Sequence, residues 1–140
     1  MKNSGFTLIE LLVAIAVAGI LAAIAVPGWL SFVQQRRLSV AADQMYRAVK
    51  ATQAEAKKTK ATQTLQPATE IDSSVSVTYP TPTLSFDHRG AVKAGAVPYH
   101  INLTVENGGS SSRCIVVKTL LGATTTGRNT QECNQLEIAQ

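Results

Sequence analysis

The sequence predicts an α+β fold, a long N-terminal α-helix packed on a small antiparallel β-sheet head. Three observations predict it. Residues 6 to 33 are almost entirely apolar, with Glu10 as their one formal charge. Residues 34 to 62 keep apolar groups at spacings of three and four, the helical period. From about residue 70 the period drops to two, in short runs rich in β-branched and aromatic residues.

The chain has 140 residues, enough for one domain. Its net charge of +4 lies from Arg36 onward, because Lys2 and Glu10 cancel. Such an excess permits an acidic or nucleic-acid partner without demanding one, and more often it is simply solvated surface.

The first element is the apolar run. From Phe6 to Val26 there are 21 residues, about 32 Å of helix at ~1.5 Å per residue. That matches a hydrocarbon core of roughly 30 Å. The run is too long for a secretory signal peptide, and a lone strand would leave its backbone unpaired in lipid. It therefore reads as the membrane-spanning half of the helix, surrounded by lipid. Lys2 favours a cytoplasmic N-terminus and an exported head. Trp29 suits the far membrane interface. Gly19 and Pro27 interrupt the run, and Pro27 lacks an N–H, so a bend or a locally opened turn is expected. Glu10 is the anomaly. A carboxylate deep in a bilayer costs roughly 3 kcal/mol or more, so it either snorkels to the headgroups or awaits a partner.

The second element continues the helix beyond Pro27 as an amphipathic half. Leu38, Ala41, Ala42, Met45, Val49, Thr52 and Ala56 form one face, and Arg36, Arg37, Asp43, Arg47, Lys50, Lys57 and Lys58 occupy the others. The third is the sheet. "SVSVTY" (74–79), "TLSFD" (83–87), "YHINLTV" (99–105) and "RCIVVK" (113–118) read as strands, with a fifth short one near 135–138. "PTP", "DHRG" and "ENGGSSS" read as turns between them.

Cys114 and Cys133 are the two cysteines. An even count behind a membrane segment suggests one disulfide, formed in an oxidising compartment. It closes a loop of about 20 residues, worth about 3 kcal/mol; two separate buried thiols are the other reading. His88 and His100 do not stand at zinc-finger spacing from them, so no metal site is expected. No phosphate loop, paired-carboxylate motif or nucleophile triad is present in the sequence, which indicates neither an enzyme nor a cofactor.

"GFTLIE" after a short Lys-containing leader, followed by an unbroken apolar run, resembles the prepilin motif of type IV pilins and type II secretion pseudopilins. The resemblance implies that a prepilin peptidase cuts after Gly5 and N-methylates Phe6. Residues 1–5 are then a leader removed on maturation, and 6–33 a transmembrane and later filament-core helix. Residues 34–62 become the amphipathic continuation and 63–140 a β-rich head with a C-terminal disulfide loop, a pilin-like plan. Cleavage creates an α-amino group on Phe6, with an ordinary pKa near 8. In the family the glutamate, here Glu10, pairs with the N-terminus of a neighbouring subunit, so two costly charges become tolerable together. In filaments of the family the stretch equivalent to 19–27 is often extended. The implied partners are other pilin or pseudopilin subunits, the peptidase and an inner-membrane assembly platform. The implied location is the bacterial inner membrane, single-pass, with the head periplasmic, and then the pilus or pseudopilus.

The head resembles H-type (FimT/GspH-like) minor pilins over residues 84 to 129. The shared features are a phenylalanine–aspartate–x–x–glycine turn, here Phe86, Asp87 and Gly90, and a later glycine–arginine element, here Gly127 and Arg128. Members used in DNA uptake carry glycine–arginine–x–arginine there, whereas this chain has Thr130 in place of the second arginine. Three functions follow. The chain is a minor pilin or pseudopilin, or a pilus subunit touching DNA weakly through Arg89, Lys93, Arg113, Lys118 and Arg128, or a major pilin of the shaft.

Overall fold

The computed structural model describes residues 6–66, 71–106 and 111–138. Helix α1 runs from Leu8 to Thr59. The chain divides into two compact units, Met1–Val33 and Gln34–Gln140.

In the first unit, Thr7 caps the helix. Its hydroxyl accepts the Glu10 N–H at 3.3 Å, and its carbonyl accepts the Leu11 N–H at 3.2 Å. These donors have no partner within the helix, which is what a threonine N-cap supplies. Leucine, alanine and isoleucine then carry the helix forward. Helix α1 is continuous through Gly19 and Pro27. The described large apolar side chains from Phe6 to Phe32 are exposed, from 50% at Val17 to 81% at Leu8, and Val33 is partly covered. By length and composition the segment can cross a membrane.

In the second unit the helix buries Leu38, Ala41, Ala42, Met45, Val49 and Ala56, the expected face. Thr52 is only half-buried and turns its hydroxyl to the Ala48 carbonyl, 2.8 Å away. The helix ends at Thr59, three residues before the expected boundary, and Lys60 follows with φ 56°. That left-handed turn is a common helix stop.

Among the described residues seven antiparallel strands follow, in two sheets. Strands β1 (Gln63–Thr64), β3 (Ser85–Phe86) and β4 (Val92–Ala94) form one in the order β1-β3-β4. Strands β2 (Val75–Thr78), β5 (Tyr99–Val105), β6 (Ser112–Val117) and β7 (Thr124–Gly127) form the other in the order β2-β5-β6-β7. The expected single sheet of four or five strands is thus replaced by two. The strands missing from the sequence reading are two to four residues long, too short to show a period. The expected "ENGGSSS" turn falls partly on residues 107–110, outside the described residues.

Alternation along β5 turns Tyr99, Ile101 and Leu103 into one core with Leu84, Phe86, Ile115, Val117 and the buried face of α1. Strand β6 is buried on both faces. Its Cys114 and Val116 form a second, smaller cluster with Cys133 and Leu136. The last two belong to helix α2 (Thr130–Ile138), which corrects the strand expected near 135–138. The cause is local. Asn129 Oδ1 accepts the Glu132 N–H and Glu132 Oε2 accepts the Arg128 N–H, both at 2.7 Å. Such a reciprocal cap starts a helix.

Candidate functional site

Two places carry candidate functional residues, one in each unit. At the N-terminal end, Gly5 lies outside the described residues. Phe6 is 79% exposed and Glu10 stands in the first turn of α1. The Glu10 carboxylate takes part in no hydrogen bond or ion pair among the described residues. Its place near the helix N-terminus is favourable for a negative charge. This carboxylate is therefore free to meet a cation supplied from elsewhere.

In the head, the turn at "FDHRG" is built around its own aspartate. Asp87 Oδ1 accepts the N–H groups of Arg89 at 2.8 Å and Ala91 at 2.9 Å. The Ala91 N–H, with help from Arg89, holds the Asp87 carboxyl below its ordinary pKa, although partial burial works against it. Phe86 is core, and Gly90 takes φ +78° with the Lys57 side chain packed against it. The positive φ at Gly90 is what asks for glycine, whereas the flexible end of Lys57 could move aside for a Cβ. These three residues are occupied in folding.

Helix α1 reaches this turn through Gln53, a buried polar residue that the sequence reading missed. Its Nε2 donates to the Gly90 carbonyl at 2.7 Å and the Leu121 carbonyl at 3.0 Å. Lys50 Nζ donates to the neighbouring Gly122 carbonyl at 3.0 Å. A glutamine standing four residues after Val49 on an otherwise apolar face was the available signal.

The glycine–arginine element also has a packing role. Cys114 and Cys133 are joined by a disulfide with their Cα atoms 6.0 Å apart, closing a separation of 19 residues. A Cβ on Gly127 would lie 2.8 Å from Cys114 Sγ and 2.9 Å from Cys133 Sγ, so only glycine fits beside the bond. Arg128 and Asn129 then lead into α2.

The five candidate cations do not form one cluster. Arg113 and Arg128 line one cleft of about 370 Å³ with Gln35, Leu38, Ser111, Ser112 and Asn129. Arg89 sits in the Asp87 turn, and Lys93 donates to Thr62 Oγ1 at 3.0 Å. Lys118 lies five residues along the strand direction from Arg113, about 17 Å away at ~3.4 Å per residue. No cluster of His, Cys, Asp or Glu that could hold a metal occurs among the described residues.

Residues 1–26 match the model described as the prokaryotic N-terminal methylation motif. No curated protein and no solved structure matches the chain. The motif is typical of type IV pilins and pseudopilins. The chain thus carries that motif at the start of a long helix whose N-terminal part is hydrophobic.

Proposed function

We propose that the chain is a minor, H-type subunit of a type IV pilus or type II secretion pseudopilus. It is cut after Gly5 and methylated on Phe6. It waits in the inner membrane as a single-pass protein with its N-terminus cytoplasmic and its head periplasmic. Residues 6–33 then leave lipid for a filament core, where Glu10 pairs with the Phe6 amine of a neighbour and the stretch between Gly19 and Pro27 is free to extend. The observation that supports this most is the coincidence of the methylation motif with an apolar helix whose side chains are uncovered. Mass spectrometry of the mature protein tests it. An N-methylated Phe6 start is expected, and an intact Met1 on assembled protein would overturn the reading.

A second reading, a DNA-contacting pilus subunit, is favoured by the shared cleft of Arg113 and Arg128. Two guanidiniums engage few phosphates and give weak, salt-sensitive attachment. Duplex DNA is expected to bind no tighter than about 10⁻⁵ M at physiological salt. Tight binding abolished by Arg128→Ala alone would make DNA capture the leading function.

A further inference from the structure

In the described head, only Val40, Leu120 and Leu121 are large apolar side chains left exposed, and only the two leucines are adjacent. Leu120 is 65% and Leu121 82% exposed. Their turn, between β6 and β7, is nonetheless firmly bonded. The Leu120 carbonyl accepts the Val92 N–H at 2.7 Å, and the Leu121 carbonyl accepts Gln53 Nε2. The Gly122 carbonyl accepts Lys50 Nζ, while the Gly122 N–H donates to the Thr119 carbonyl at 2.8 Å. Lys118 N–H closes the turn on the Ala123 carbonyl at 2.7 Å. The backbone is held by the head and the side chains are turned away from it. Little ordering cost remains when such a turn binds.

The segments tied to this turn are basic. Lys50 bonds it directly, Lys118 precedes it, and Lys57 and Arg89 flank Gly90, which shares the Gln53 amide with Leu121. The nearby acids are engaged. Asp87 caps its own turn, and Glu55 meets Lys58 at 3.4 Å.

We propose that the Leu120–Leu121 turn is a docking knob for a different, acidic filament subunit. Its leucines enter an apolar recess, and Lys50, Lys57, Arg89 and Lys118 face carboxylates on the rim of that recess. A second copy of this chain fits poorly, because it brings the same excess of +4 to a basic surface. A lipid surface takes a broad apolar face, whereas two leucines on a fixed turn suit a recess. The proposal rests on the filament-subunit reading and deepens it: the preferred neighbour is heterotypic.

The test places the photocrosslinker p-benzoylphenylalanine at position 121 of the full chain, in the cell that makes it. The expected adduct joins this chain to a second polypeptide that carries its own N-terminal methylation motif and a net-negative head. Lys57→Glu with Arg89→Glu should lower its yield several-fold at unchanged melting temperature. An adduct with another copy, an adduct with lipid, a charge-insensitive adduct or no adduct would each overturn the proposal. Sheared filaments from the same cells are blotted for this chain. Its presence there without the expected adduct removes the knob and keeps the filament role, whereas its absence removes the filament role itself.

Discussion

Residues 6–33 and residues 34–140 are both rich in apolar groups, yet only the second set buries them within the chain. In the head, Phe86, Ile101, Leu103, Ile115 and Val117 are fully enclosed, and the polar Gln53 finds two carbonyls. From Phe6 to Phe32 every described large apolar side chain is half exposed or more, and the Glu10 carboxylate is unpaired among the described residues. The head is specified by its own sequence. On the proposed function the segment is specified by what surrounds it, first lipid and then other subunits. Substitutions in the head should therefore be felt as stability, and substitutions in the segment as assembly.

Breaking the head's staple should have the largest effect. Replacing Cys114 and Cys133 together by serine is expected to cost about 3 kcal/mol, a fall in Tm on the order of 10–20 °C. Thermal unfolding of the full chain in detergent checks it. Membrane insertion should be untouched, because residues 6–33 make no use of the bond.

A smaller loss is expected for Gln53→Ala, about 1–3 kcal/mol, because the Gly90 and Leu121 carbonyls lose their donor. Denaturant titration of the same preparation measures it. A change under about 0.5 kcal/mol would place Gln53 among ordinary surface substitutions and break the claim that it ties helix to turns.

The smallest effect is pH dependence. Hydrogen bonds from the Ser74 hydroxyl and N–H, with Arg37 nearby, lower the Asp72 pKa, and the Ala91 N–H does the same for Asp87. A lowered folded pKa means that protons bind the unfolded chain more readily. This stabilisation is complete above the ordinary carboxylate value of 3.8 and is lost as pH falls through the lowered folded values. Stability should be flat from neutral pH down to about 5 and then decline. Asp87→Asn should reduce the decline. An unchanged acid limb would show that the carboxylate contributes nothing to the turn.

The contrast also explains what was legible in the sequence. An apolar run of membrane length and the three-four spacing of Leu38 to Ala56 are local patterns, and both appear as α1. "YHINLTV" is strand β5 residue for residue, because its alternation is long enough to fix a period. Helix α2 was missed because, among its described side chains, Cys133 and Leu136 alone face the core, at one helical spacing, while its start is written in the side-chain bonds of Asn129 and Glu132. The division into two sheets depends on which distant strands pair, and two-residue strands do not announce that. The structural work of Gly127 was equally hidden, since it answers to the Cys114 side chain on another strand. Arg113 and Arg128 are brought to one cleft by folding, while the remaining basic candidates are spread elsewhere.

The central claim is that the N-terminal segment is completed by other subunits, with Glu10 as the group that waits for them. Glu10→Val tests it most directly, read as the amount of the chain in membranes against the amount in sheared filaments. Removing a charge that is costly in lipid should leave membrane insertion intact or raise it, while incorporation into filaments falls steeply. Normal incorporation of the variant would contradict the account, and so would its loss from the membrane.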